Sequence, residues 1–160
     1  MFDSKNIRPM LLAEIPFDFN SKYLYEIKFD GIRAIVYANK KKINIRTRNN
    51  IDVTNLFPEL ESIKKIVGKR TCIFDGEIVL FAKGKPSFSN LQKRLRIKNK
   101  DRIKKMSLDN PVQFVVFDII YQNKDLTNKM LIERKKILDK YKDTDYFVKS
   151  EVYSDGKRLF

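Results

Sequence analysis

Apolar and polar side chains alternate through most of the first two thirds of this 160-residue chain, and that period of two commits it to a sheet-rich fold. Tyr23, Tyr25, Ile27 and Phe29 fall on one face of a strand, which puts Glu26 and Lys28 together on the other. Asp30-Gly31 marks a turn. Strands are then expected at 33–38 and 42–48, joined by the polar connection Asn39-Lys40-Lys41, with Arg46 and Arg48 on a shared face of the second. Period two returns at 72–81, where Phe74, Ile78 and Leu80 lie on one side and Asp75 and Glu77 on the other. The run 114–121 is a strongly apolar strand interrupted by Asp118, and 147–152 reads as a last strand.

Helical spacing enters between these strands. Leu56, Leu60, Ile63 and Val67 predict a helix over 55–67, with Pro58 in its first turn and Gly68 as its stop. Phe88, Leu91 and Leu95 predict a short helix over 88–97, introduced by the loop Lys83-Gly84-Lys85-Pro86 and a capping-type serine. An amphipathic helix is expected over 128–141 with Thr127 as its N-cap. The fold class is α+β, antiparallel sheets flanked by helices, and no internal repeat is present.

A chain of 160 residues supports one compact domain with an apolar core. Lys and Arg number 34 against 20 Asp and Glu, a net charge of +14 that favours polyanions, with nucleic acid or nucleotide first among them. The longest apolar runs, 34–38 and 78–82, fall far short of the roughly 20 residues that cross a bilayer. The N-terminus lacks the order of a secretory signal, and the chain reads as cytoplasmic. Cys72 is the one cysteine and histidine is absent, so an internal disulfide, zinc sites of the usual kinds and histidine acid–base catalysis are excluded. Chemistry falls to Lys, Arg, Asp, Glu, Tyr, Ser or Thr.

The stretch Glu26-Ile27-Lys28-Phe29-Asp30-Gly31-Ile32-Arg33 suits such chemistry best. A lysine beside a turn and an arginine places a primary amine next to a phosphate. Free lysine has a pKa near ~10.4, and lowering it by ~3 units takes about 4 kcal/mol of differential stabilisation, which burial and a nearby cation supply. Arg33 is the candidate cation and also a phosphate ligand, and Gly31 lets the backbone turn without a Cβ clash. Set against this, basic side chains on a strand are ordinarily just solvated. Phe117 by itself reads as core. Glu77 and Asp75 read as a surface acidic pair or as neighbours of a metal, Asp118 as an acceptor for backbone donors, and Arg48 as half of a cross-strand salt bridge. The stretch 83–105 holds ten Lys or Arg against the single acid Asp101, equally a DNA-backbone surface or a solvated face.

These residues occur in an order that resembles the covalent nucleotidyltransferase superfamily, and most closely ATP-dependent DNA ligases. Lys28, Asp30, Gly31 and Arg33 match the first motif, K-x-D-G-x-R. Thr47-Arg48-Asn49 is similar to the S-R-N-like element, 74–79 to the acidic strand that follows, and 117–121 to the next motif. Arg8-Pro9-Met10-Leu11 and 86–95 look like the bacterial ligase-D type and related archaeal enzymes.

The resemblance implies a DNA ligase adenylation-domain fold, ATP-grasp-like, with ATP in a groove between the sheets. It implies that Lys28 attacks the α-phosphate of ATP, becomes lysyl-AMP and passes AMP to the 5′-phosphate of nicked duplex DNA in repair, recombination or replication. Glu26 would lie near the adenine edge, Arg33 at a phosphate or the nick, and Arg48 near the ribose or phosphate. Glu77 would lie near the ribose and a Mg²⁺ or Mn²⁺ ion, and Phe117 would stack on adenine. A monomer is expected. A second acidic strand, a K-x-K strand and an OB-type domain, which such ligases carry further on, are not in these 160 residues. The chain is therefore expected to be a partial adenylation domain whose self-adenylation is slow at best. RNA ligase, capping guanylyltransferase and a non-catalytic nucleic-acid-binding remnant are the alternatives.

Overall fold

The computed structural model describes residues 2–3, 5–10 and 23–156. Its strands are β1 (Tyr25–Glu26), β2 (Ile32–Ala38), β3 (Ile43–Thr47), β4 (Cys72–Ala82), β5 (Lys85–Pro86), β6 (Val112–Gln122), β7 (Phe147–Lys149) and β8 (Val152–Tyr153). Its helices are α1 (Ile63–Val67), α2 (Phe88–Leu95), α3 (Lys100–Asp109) and α4 (Leu131–Leu138). The main sheet runs β3-β2-β4-β6-β7, with β5 folded back on β4, while β1 and β8 form a separate two-stranded sheet. All pairings are antiparallel except β6 with β7, the one exception to the expected antiparallel pattern.

The alternation places Val36, Phe74, Ile78, Leu80, Phe114, Val116 and Phe147 on one face of the sheet. There they pack with Phe57, Leu60, Ile63, Leu91 and Leu138 from the helical segments and turns. The other face carries a smaller cluster, Ile35, Tyr37 and Ile73, covered by Phe2 and Ile7. Local chemistry sets the turns. The Asn39 side chain accepts from the backbone N–H groups of Lys41 and Lys42 and closes the β2–β3 hairpin. Lys83 and Gly84 both take positive φ, 53° and 75°, in the two-residue β4–β5 connection.

Several sequence expectations need correction. The strand expected over 23–29 pairs only at Tyr25 and Glu26, because its partner β8 is itself two residues long, so Lys28 lies beyond the ladder. The helix over 55–67 is two 3₁₀ segments, Thr54–Leu56 and Pro58–Ser62, followed by α1. Phe57, the residue before proline, is held out of the helical region at φ −131° and ψ 62°, which breaks the helix there. Ser87 makes no side-chain cap on α2, and its N–H instead donates to the Leu80 carbonyl. Thr127 bonds to Asp125 rather than capping α4, where the Glu133 carboxylate accepts the Met130 N–H. The strand over 147–152 divides into β7 and β8 in different sheets, separated where the Ser150 N–H donates to Val116. Helix α3 is an addition. Its apolar contribution is thin, Ile103 with Ser107, and the Asn99 side chain caps it by accepting the Arg102 N–H.

α2 and the 3₁₀ segments are tied together by Arg94, which is fully buried. Its guanidinium donates to both Glu59 oxygens at 2.7 and 2.6 Å and to the Leu56 carbonyl at 2.9 Å. Glu59 also accepts the Val112 N–H at 3.0 Å. One of the ten basic residues in 83–105 therefore belongs to the interior, and the other nine are exposed.

Candidate active site

Three neighbouring strands bring the site together on the face of the main sheet opposite the large core. Arg33 of β2 stands directly across from Glu77 of β4, two positions from Asp75. The β4–β6 register slips by one residue at two places, so that Asp118 faces Asp75 while Val116 faces Gly76. Phe117 is the extra residue of that bulge. Val116 and Ile119 both enter the large core, and the bulge frees Phe117 and Asp118 between them to leave it. That resolves the apparent contradiction of an aspartate within an apolar strand. Phe117 is half-buried rather than core.

Arg33 is engaged on two sides. Its Nε and Nη2 donate to the Asp75 carboxylate at 2.6 and 2.8 Å, and its Cζ lies 4.2 Å from the centre of the Phe117 ring. Burial pushes the Asp75 carboxyl up, reinforced by Asp118 and opposed by Arg33. Glu77 is pushed up to about 7, chiefly by burial; Arg33 and Lys28 pull it down, and Asp75 and Asp30 push it further up. Lys28 thus lies within electrostatic reach of Glu77. The burial expected for Lys28 is not found, since its side chain is exposed.

Gly31 explains how a loop reaches β4. A Cβ there would meet the Ile78 carbonyl oxygen at 2.2 Å and the Glu77 Cγ at 2.9 Å. The positive-φ glycines among the described residues are Gly68 and Gly84; Gly31 lies at a bend, as expected, and what demands glycine there is close approach to β4 rather than a left-handed backbone. It seats the Lys28 loop against the strand that carries Glu77.

Two expected site residues stand apart from this cluster. Glu26 forms an ion pair with the buried Lys135 of α4. Arg48 is exposed in the turn after β3, beside a cavity shared with Asn6, Arg8 and Pro9. Its backbone N–H donates to the Arg33 carbonyl at 3.1 Å, which keeps that turn next to the main cluster. Sequence reading missed the partners: Asp75 for Arg33, and Arg134, whose Nε and Nη2 donate to Asp118 at 2.8 and 2.7 Å. The acid-strand pattern marked Asp75, but no local signal marks α4, whose Arg134 and Lys135 hold acids from two different sheets.

Glu77 yields a pH prediction. A carboxyl whose pKa rises on folding makes the folded state bind the proton more tightly, so stability is highest below about 4.5 and falls as pH climbs through about 7. Allowing for partial exposure, the loss is about 1–2 kcal/mol. Glu77→Gln is expected to match the wild type near pH 4 and to exceed it in stability above pH 7, as read from urea midpoints across that range.

A sheet flanked by helices, with a motif lysine in the loop whose glycine abuts an acidic strand, is the arrangement of the nucleotidyltransferase fold found in ligase domains. The crystal structure of the ligase domain of M. tuberculosis LigD superposes with a TM-score of 0.67 at 26% identity, covering 86% of this chain and 42% of that one. A mycobacterial DNA ligase D solved with ATP and MES gives the same values. The family model for the ATP dependent DNA ligase domain matches residues 9–157, and the chain belongs to that family. Among curated relatives, the SPbeta prophage-derived DNA ligase-like protein LigB of Bacillus subtilis is 37% identical over 83% of this chain and 46% of its own length. A DNA ligase of Methanosphaera stadtmanae is 30% identical over 98% of this chain and 30% of its own. The chain therefore spans less than half the length of these curated relatives. No helix among the described residues is long and apolar enough to cross a membrane.

Proposed function

We propose that this chain is the nucleotide-activating part of an ATP-dependent DNA ligase, in which Lys28 is the nucleophile. The Nζ of Lys28 attacks the α-phosphate of ATP, a P–N bond forms as the bond to pyrophosphate breaks, and the amine proton leaves to solvent. The AMP then passes to a 5′-phosphate at a nick in duplex DNA, and the adjacent 3′-hydroxyl displaces it. The observation that carries this reading is the seating of the Lys28 loop on β4 through Gly31, which puts the amine, Arg33 and Glu77 in one electrostatic cluster.

The roles follow from what each side chain touches. Phe117 offers a flat aromatic face for adenine, with Arg33 on its ring and near the phosphates. Glu26 is proposed for the adenine edge, a role in which its carboxylate would serve the base while paired with Lys135, outside the Arg33–Glu77 cluster. Arg48 meets ribose or phosphate from the neighbouring turn. Among the described residues no three ligand-type side chains converge as a metal cage. The half-buried carboxyl of Glu77 does suit a hard cation that completes its shell with nucleotide phosphates and water. Bound there, Mg²⁺ or Mn²⁺ would shield charge on the α-phosphate. The 1–160 unit is read as a partial adenylation domain, acting as a monomer in the cytoplasm on nicked DNA during repair, recombination or replication. The nine exposed basic residues of 83–105 suit a DNA backbone.

The test is incubation with α-labelled ATP and Mg²⁺. Slow covalent labelling that requires Lys28 is expected. Label that survives Lys28→Ala, or no label after prolonged incubation at saturating ATP, overturns the reading. Labelling by GTP in place of ATP would point to capping chemistry instead.

A further inference from the structure

A cavity of about 640 Å³ opens between the N-terminal segment and the turn after β3, lined by Asn6, Arg8, Pro9, Arg48, Asn49 and Asn50. This lining carries two guanidiniums and three carboxamides and no carboxylate. Arg33, Arg46, Arg94 and Arg134 each pair with an acid, and among the described residues no acid lines the cavity beside Arg8 and Arg48. Among the described residues neither Arg8 nor Arg48 has a side-chain hydrogen bond or ion pair. Two arginines without an acid partner on the lining of one polar cavity make a recess suited to an oxyanion.

Both walls are held in place. On one side the Ile7 N–H donates to the Tyr37 hydroxyl at 3.1 Å, Ile7 packs into the Ile35, Tyr37 and Ile73 cluster, and Pro9 is buried. Arg8, between two anchored residues, is left exposed at the rim. On the other side Asn50 takes φ 62° in a tight turn whose N–H bonds back to Thr47, and Arg46 grips the Asn50 carbonyl at 3.0 Å. The Arg48 N–H bonds to the Arg33 carbonyl, so the recess adjoins the main cluster.

We infer that Arg8, opposite Arg48, forms a phosphodiester-binding cleft that grips the DNA backbone beside the nucleotide site. This rests on the reading of the chain as acting on DNA, and it assigns a role to the N-terminal segment that Lys28 chemistry does not require. Phosphate oxygens fit because guanidinium forks donate in pairs to them, and carboxamide N–H groups complete the donor set.

The experiment measures binding of a fluorescein-labelled nicked duplex by anisotropy over a range of salt concentrations, alongside ATP binding by calorimetry. Each phosphate contact contributes about 0.9 to the log–log salt slope. Arg8→Gln is expected to make the slope shallower by about 1, and Arg8→Gln with Arg48→Gln by about 2, each arginine costing roughly tenfold in affinity near 0.1 M salt. Arg8→Lys should keep most of the slope, ATP affinity should not move with Arg8→Gln, and Lys64→Gln, whose amine already pairs with Glu61, should change nothing. An unchanged slope in Arg8→Gln overturns the inference, as does a loss of ATP affinity equal to the loss for DNA, which would give the cleft to the triphosphate. Failure of the parent reading looks different: ATP labelling would be absent while the Arg8-dependent slope persists. A wild-type chain without salt-dependent DNA binding overturns this inference outright.

Discussion

Arg94→Met is expected to cost about 3–5 kcal/mol of unfolding free energy, because it strands the Glu59 carboxylate inside the protein without its counter-ion. Arg94 is 0% exposed and Glu59 3% by side chain, so water cannot replace the lost donors. The pair also serves the backbone. Arg94 satisfies the Leu56 carbonyl and Glu59 satisfies the Val112 N–H, which joins the 3₁₀ segment, α2 and the start of β6 through two side chains. Arg94 further stacks over Phe57, with its Cζ 5.0 Å from the ring centre. Urea denaturation is the measurement. The companion variant Glu59→Leu with Arg94→Met removes both charges and should recover part of the loss, leaving the orphaned Leu56 and Val112 groups as the remainder. A loss below about 1 kcal/mol for Arg94→Met would mean that the pair is hydrated after all.

Gly31→Ala is expected to reduce lysyl-AMP formation by about 100-fold or more while leaving most of the protein folded at room temperature. The added methyl would lie 2.2 Å from the Ile78 carbonyl oxygen, which is backbone in the middle of a sheet and cannot swing aside. The loop that carries Lys28 and Asp30 must then lift from β4. A displacement of about 1 Å at a reacting group costs on the order of 100-fold in rate, whereas the lift itself costs only a few kcal/mol of overpacking strain. Labelling with α-labelled ATP, compared with circular dichroism on the same samples, separates the two effects. A variant that labels at the wild-type rate would show that the loop's seat on β4 is irrelevant to the amine.

The elements themselves were largely legible from local pattern. β2, β3 and β4 follow the alternating runs and β6 the apolar run around Asp118, and Gly68, Lys83-Gly84 and Asn39 end or turn the elements as their chemistry dictates. Legibility failed where a helix buries little. α3 hides among lysines because it buries only Ile103 and Ser107, and α4 starts at Met130, whose N–H the Glu133 carboxylate accepts, three residues beyond the hydroxyl that looked like the cap. The Lys28-to-Arg33 motif was readable as a candidate phosphate site with its glycine at a turn, but the group that excludes a Cβ there, the Ile78 carbonyl, belongs to a strand that lies far along the chain.

Side-chain period, turn chemistry and charge balance are written in neighbouring residues. They decided on their own that this polypeptide would build a basic, sheet-based domain with a lysine at a turn. Partnership was decided elsewhere. The bulge that turns Phe117 out of the core, the grip of Asp75 on Arg33, the hold of α4 on Glu26 and Asp118, and the cavity that Arg8 shares with Arg48 each join segments distant in sequence. Strand register and helix docking set those distances, and a linear pattern with period two or 3.6 carries no information about which strand lies opposite which.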